Sequence, residues 1–174
     1  MLIVSAHDGY PHHVNSGADF IEVDVRRTRQ GVVVLAHDAL RWWRRYVRFD
    51  EVLNRVPPTV GLHLDLKEAG YERELLGRVL AGRPPRNVVV TPEVESSARA
   101  IKSSFPDVRV SPIDFITLDQ RYATDEALAA AARPVWVWTV DEDRQMRRFI
   151  DDGRVAAIVT NRPDRALELR TARA

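Results

Sequence analysis

The run Gly17–Asp38, GADFIEVDVRRTRQGVVVLAHD, holds two short apolar stretches, Phe20–Val25 and Val32–Ala36, each broken or ended by residues that are costly to bury. In the first, Glu22 and Asp24 alternate with Ile21, Val23 and Val25; the second closes on His37-Asp38. Side chains on a strand alternate between faces, so Glu22 and Asp24 share one face and the three aliphatics the other. Two neighbouring carboxylates repel, and neither ionises easily in a core unless a cation lies between them. Hard divalent ions such as Mg²⁺ or Ca²⁺ take oxygen ligands of this kind. A metal-assisted site is therefore the first expectation, and the rest of the chain has to supply a third ligand and a base.

Working outward, apolar runs rich in Val and Ile recur at Leu2–Ala6, Phe20–Val25, Val32–Ala36, Gly61–Leu66, Asn87–Thr91, Val108–Ile113, Val135–Val140 and Ala156–Thr160, eight candidate strands. From the fourth onward, helix-period segments fill the gaps: Glu72–Leu80, Glu93–Phe105 up to Pro106, Asp125–Ala132 after the N-cap Thr124, Glu142–Asp152 up to Gly153, and Asp164–Arg170. Asp38–Pro58 offers one short helix, Asp50–Arg55. Alternation of this kind predicts an α/β fold of parallel units, and eight strands predict a (β/α)₈ TIM barrel. At 174 residues the chain is short for that fold, whose members typically have ~250. Asp8–Asp19 and Arg26–Gly31 also do not read as helices, so the barrel is expected in trimmed form, with helices missing after the first strands. An open, doubly wound sheet is the alternative.

Length predicts one domain over residues 1–174, and 45% apolar with 29% charged residues is an ordinary globular composition. A net charge of +1 gives no electrostatic case for nucleic acid, and the absence of cysteine excludes disulfides, thiolate metal sites and a Cys nucleophile. The N-terminal MLIVSAHDGY is too short for a signal peptide or a membrane span, which predicts a cytoplasmic protein without stable membrane insertion.

The ionisable residues cluster at strand ends: His7 after the first, Glu22 and Asp24 in the second, His37 after the third, Asp65 and Lys67 in the fourth. In GLHLDLK, Gly61–Lys67, His63, Asp65 and Lys67 share one face and Leu62, Leu64 and Leu66 the other. Singly, each of these residues has a structural explanation, as a satisfied strand-end His or a solvated charge. Together they form a hydrolytic constellation at the C-terminal mouth of a barrel, where active sites of that fold lie. Carboxylates hold a metal, the metal and Lys67 neutralise an anion, and histidines move protons.

Ala6–Gly9 (AHDG), the GADFIEVDVRRT and RQGVVVLAHD segments of Gly17–Asp38, Leu64–Lys67 (LDLK), Val137–Asp141 (VWTVD) and Val155–Asp164 (VAAIVTNRPD) resemble the glycerophosphodiester phosphodiesterase family in the family's own order. The resemblance implies a trimmed TIM barrel and metal-dependent cleavage of glycerophosphodiesters or related lipid headgroup diesters. It assigns His7 and His37 as the acid–base pair, Glu22, Asp24 and Asp65 as ligands of Mg²⁺ or Ca²⁺, Lys67 as a phosphate contact and Trp138 as a wall for the alcohol portion. The partner it implies is a small phosphodiester. The chain departs from the family pattern at Asp8, where Arg is usual, at Asp65, where Glu is usual, at Asn161, where Asp is common, and in having HHVN (His12–Asn15) where a longer segment stands. Asp65 in a DLK setting is similar to the related sphingomyelinase D-type phospholipases. A phospholipase D-like lyase forming a cyclic phosphate, and an inactive metal- or phosphate-binding barrel, are the alternative functions.

Arg41–Arg48, RWWRRYVR, follows the second His. Cations interleaved with aromatics suit stacking on bases, gripping phosphates or lying at a membrane interface. They equally suit an Arg-rich loop over the barrel mouth, Lys67 and Lys102 being the only lysines. The last is preferred over nucleic acid, with Arg41, nearest His37, as a substitute for the phosphate contact absent at Asp8.

Overall fold

Residues 1–173 are described by the structure, a computed structural model. Among them are strands β1 (Ile3–Ala6), β2 (Phe20–Arg27), β3 (Val33–Leu35), β4 (Gly61–Leu66), β5 (Val88–Pro92), β6 (Arg109–Val110), β7 (Ile116–Asp119), β8 (Val135–Trp138) and β9 (Val155–Thr160). The helices are α1 (Phe49–Arg55), α2 (Glu72–Leu80), α3 (Glu95–Ser104), α4 (Asp125–Ala130), α5 (Asp143–Asp151) and α6 (Pro163–Thr171). Eight strands form one curled parallel sheet in the order β6-β5-β4-β2-β1-β9-β8-β7, the strand sequence of a (β/α)₈ barrel. No ladder joins β6 to β7 among the described residues, so the barrel is trimmed and open at that seam.

Eight barrel strands were expected and eight are present, but one of them is exchanged for another. Val32–Ala36 is not a barrel strand: its core, β3, pairs antiparallel with β2 through Val25↔Leu35 and Arg27↔Val33. The connection between them is a tight turn in which Gly31 lies at φ +83°, a conformation costly for a side chain, and its N–H donates to Thr28 O at 2.9 Å. A turn this short permits only an antiparallel partner. The eighth barrel strand is β7, which the apolar-run reading passed over because Ile-Thr-Leu-Asp is short and half-polar. Correspondingly, Val108–Ile113 supplies only the two residues of β6. Helices are absent between β1 and β2, as expected, and also between β6 and β7.

Two layers of side chains cover the outside of the sheet. Leu62, Leu64 and Leu66 pack outward with Leu75, Leu76, Val79 and Ile101 under α2 and α3. Val135, Val137 and Ile158 pack with Met146, Phe149, Ile150 and Ala166 under α5 and α6. Full burial of such side chains is worth about 1.5–3 kcal/mol each. Inside the barrel the register stacks Phe20 on Gly61, Glu22 on His63 and Asp24 on Asp65 across β2 and β4. The lowest layer is a plug of Phe20, Phe115 and Trp136, with ring centroids 5.0–5.9 Å from Trp136. Gly61 is required there, since a Cβ at this position would lie 2.3 Å from the Phe20 ring. The polar layers therefore begin above an aromatic floor. Among the described residues no helix is long and apolar enough to cross a membrane.

Candidate active site

A cavity of about 350 Å³ opens above this floor, lined by His7, Glu22, Asp24, His37, Asp65, Lys67 and Trp138 together with His63, Thr91, Glu93 and Thr117. Every sequence-predicted site residue except Arg41 reaches it. Arg41 instead lines an adjoining cavity of about 370 Å³, which shares Asp24 and His37 with the first and also contains Asp8, Arg44 and Tyr46.

The three acidic residues converge because they occupy inward positions of adjacent strands. Glu22, Asp24 and Asp65 each offer an oxygen within 4.8 Å of the other two. Glu22 is buried, and its carboxyl is held well above the usual carboxylate range by burial first and by Asp24 second. Against that, the Asp8 N–H donates to Glu22 Oε2 at 2.7 Å. Lys67 Nζ lies 3.0 Å from Asp24 Oδ1, 2.9 Å from Asp65 Oδ2 and 3.0 Å from Glu93 Oε1, so its three protons meet three carboxylates. Burial alone would depress the Lys67 ammonium, but Asp65, Glu93 and Asp24 outweigh it and the net shift is upward. Asp65 moves upward too, because its own burial outweighs the attraction of Lys67. The two shifts describe one situation, a cluster with more negative charge than one ammonium offsets. Among the described residues Glu22 touches no cation. Three hard oxygen donors, one of them buried without a counter-charge, fit a divalent ion.

The two histidines are oriented from outside the cavity. His7 Nδ1 lies 3.0 Å from Asn161 Oδ1. Asn161 donates its backbone N–H and its Nδ2–H to the Asp141 carboxylate, at 2.8 and 2.7 Å, and Thr160 Oγ1 donates to the same group at 3.0 Å. A carboxylate only accepts, so the Asn161 amide nitrogen must face Asp141 and its oxygen must face His7. The proton of neutral His7 is thereby placed on Nδ1, leaving Nε2 for proton transfer. The helix expected over Glu142–Asp152 is present as α5, and Asp141, just before it, uses its carboxylate in this relay rather than as a cap. His37 Nδ1 lies 2.9 Å from Asp38 Oδ1, and that hydrogen bond lowers the Asp38 carboxyl. The His37 carbonyl is clamped by Arg26, which donates from Nε at 3.1 Å and Nη2 at 2.9 Å. The His37 side chain is 73% exposed, at the rim rather than the floor.

Asp8 does not join the carboxylate cluster. It lies at φ +43°, its N–H supports Glu22, and its residue lines the adjoining cavity with Arg41 and Arg44. The reversed charge at this position is thus outside the group of three candidate ligands, although it still adds to the upward push on Glu22.

Sequence reasoning passed over Thr91, Glu93 and Thr117, and left His63 without a role. Val89, Thr91 and Glu93 are consecutive alternate positions of β5 and its end, so carrying the period of two past Thr91 would have placed Glu93 in the site; it was assigned instead to the following helix. His63 is fully enclosed, with Nδ1 3.2 Å from Ser5 Oγ, Nε2 3.1 Å from Thr91 Oγ1 and its ring edge-on to Trp136 at 5.1 Å. Burial, then His7 and Arg109, push it down to about 3, so it is neutral and structural at ordinary pH.

A family model described as the glycerophosphoryl diester phosphodiesterase family matches residues 8–72, the segment that supplies Glu22, Asp24, His37, Asp65 and Lys67. A structure of a glycerophosphoryl diester phosphodiesterase, described as putative, from Agrobacterium tumefaciens str. C58 superposes with a TM-score of 0.81 at 14% identity, over 99% of this chain and 98% of that one. A second such protein, from Silicibacter pomeroyi DSS-3, gives a TM-score of 0.77 at 16% identity over 99% and 94%. An Oleispira antarctica phosphodiesterase solved with the product sn-glycerol-3-phosphate gives 0.72 at 13% over 97% and 96%. No curated protein matches the chain in sequence. The trimmed TIM barrel and the resemblance read from the motifs are thus both borne out.

Proposed function

Taking the chain as a barrel of the glycerophosphodiester phosphodiesterase type, we propose that it is a divalent-cation-dependent phosphodiester hydrolase acting on glycerophosphodiesters or related lipid headgroup diesters. The observation that carries this reading is the convergence of Glu22, Asp24 and Asp65 on one cavity with His7 and His37. Glu22, Asp24 and Asp65 hold Mg²⁺ or Ca²⁺, which when bound supplies Lewis-acid stabilisation of charge on the phosphoryl oxygens. His7 and His37 form the acid–base pair: one takes the proton of the nucleophile, the other delivers a proton to the departing alkoxide. Asn161 and Asp38 keep each imidazole in the tautomer that leaves Nε2 for the work.

Lys67 has all three donors engaged, so it contacts a phosphate only by releasing a carboxylate. Glu93, whose side chain is half exposed, is the partner most readily released. Arg41, which lines the adjoining cavity, provides the cation at the second side of the mouth. Trp138, 44% exposed at the rim, covers the apolar part of the alcohol.

The test is turnover of glycerophosphocholine, glycerophosphoethanolamine, lysophosphatidylcholine and an aryl phosphodiester with Mg²⁺, with Ca²⁺ and with chelator, beside Glu22→Gln. Metal-dependent turnover lost in Glu22→Gln supports the reading. A folded protein that turns over none of them with either ion refutes it.

A further inference from the structure

From the loop that borders the mouth, we propose that the protein docks peripherally on anionic lipid surfaces through Leu40–Arg48. The segment holds four arginines, two tryptophans and a tyrosine and no acidic residue. Arg44 N–H donates to Arg41 O at 3.0 Å, closing a β-turn with Trp42 and Trp43 at its two central positions. The turn therefore presents both indoles at its tip, Trp42 91% and Trp43 63% exposed, edge to face at 5.6 Å. Neither indole belongs to a buried cluster, so neither contributes to the core.

The base of the loop is anchored, which separates it from a loose segment. Leu35 N–H donates to Val47 O at 2.9 Å, Val34 bridges to Arg48, and Arg41 N–H donates to the Tyr46 hydroxyl at 2.8 Å. Ordering of the tip is thus largely complete before any partner arrives. Of the cations, Arg48 pairs with Asp50, whereas Arg41, Arg44 and Arg45 form no ion pair among the described residues. Arg41 and Arg44 are stacked instead on Trp43 and Tyr46, at 5.9 and 5.5 Å.

An amphipathic ring at a protein's tip, collared by cations without counter-ions, matches the headgroup layer of an anionic bilayer. Indoles settle at the apolar–polar boundary, and each arginine near an anionic surface strengthens attachment about fivefold, less as salt rises. The indoles also border a groove with Arg27, Arg29, Arg41, Arg44 and Glu68, which in charge would suit a single strand; the 91% exposure of Trp42 favours a ring that enters a lipid interface over one that walls a groove. The surface abuts the cavity that shares Asp24 and His37 with the candidate site, so docking holds the mouth close to the lipid headgroups. Binding itself does not depend on the proposed activity.

The experiment is co-sedimentation and tryptophan emission with vesicles of phosphatidylcholine alone and with about one third phosphatidylglycerol, at low and high salt. The wild type is expected to bind the anionic vesicles, shift its emission to the blue and be quenched by brominated acyl chains. Trp42→Ala/Trp43→Ala is expected to bind ~10-fold or more weakly, since the apolar area that enters the interface is gone. Arg45→Gln should bind about fivefold more weakly, at low salt only. Turnover of a soluble aryl diester by these variants, if the wild type has it, stays unchanged. The proposal is overturned by absent binding at low salt, by binding indifferent to both variants, or by an oligothymidylate that binds more tightly than the vesicles. Vesicle binding by a protein that turns over no diester would overturn the proposed activity and leave the docking surface standing.

Discussion

Replacing Lys67 by Met keeps most of the stem's volume and removes the one ammonium inside the carboxylate cluster. The Lys67 side chain is 5% exposed, and its Asp24 partner is buried as well, so this contact is desolvated on both sides. Asp65 is partly exposed and Glu93 half exposed, so water already weakens those two contacts. Breaking the Asp24 pair strands a buried charge beside Glu22, at a cost of about 3–5 kcal/mol. For a chain of this length each kcal/mol moves the melting temperature by about 2–4 °C, which gives a fall of about 6–20 °C. The assay is thermal unfolding by circular dichroism, in chelator and again with Mg²⁺ or Ca²⁺. In chelator Lys67→Met should melt by that much below wild type. With saturating divalent cation the variant should regain more than the wild type gains, because the ion supplies positive charge to the same oxygens. A variant that melts within about 2 °C of wild type in chelator would refute the reasoning, since the cluster would then be solvated enough to need no internal cation.

Glu22→Gln acts in the opposite direction on the metal-free protein. A carboxyl raised by burial stabilises the fold below its unfolded value and loses that contribution as pH rises through its folded value; the variant should therefore be the more stable of the two in chelator at neutral pH, and should lose cation-dependent stabilisation. Denaturation in chelator and with cation at pH 7 checks both signs. His63, pushed down to about 3 by burial, remains neutral while the unfolded chain protonates near 6.5, so stability drains between these values and is untouched above them. At pH 5 this residue should cost about 2 kcal/mol relative to pH 7, and urea titrations should show that slope missing in His63→Gln. Asn161→Leu removes the acceptor that places the His7 proton, so kcat should fall with little change in KM, while Asn161→Asp retains that acceptor but faces the Asp141 carboxylate where Nδ2–H donated, and should recover only part of the rate. The loss should stay below the ~10²–10⁴-fold expected for His7→Gln, and equal losses in both Asn161 variants would show that the tautomer is set elsewhere.

The period-two alternation of Glu22 and Asp24 with Ile21, Val23 and Val25, and of His63, Asp65 and Lys67 with three leucines, was sufficient to assign strand, face and inward charge, because those patterns depend only on the geometry of one strand. The short Arg26–Gly31 connection likewise announced a missing helix, although not that its two arms pair antiparallel. By contrast, β7 was illegible: Ile116–Asp119 is half polar, and only its neighbour β8 makes it a strand. The assignment of Lys67 to a phosphate contact came from the family resemblance, whereas its three ion pairs depend on β4 meeting β2 and on Glu93 arriving from β5. The His7–Asn161–Asp141 relay joins residues over 130 positions apart, brought together by the pairing of β9 with β1. The sequence by itself determined which residues are too polar to be buried unpartnered, since that cost is local. Which partner relieves each of them was decided only by the tertiary structure, because strand register and barrel curvature set the distances on which hydrogen bonds and ion pairs depend.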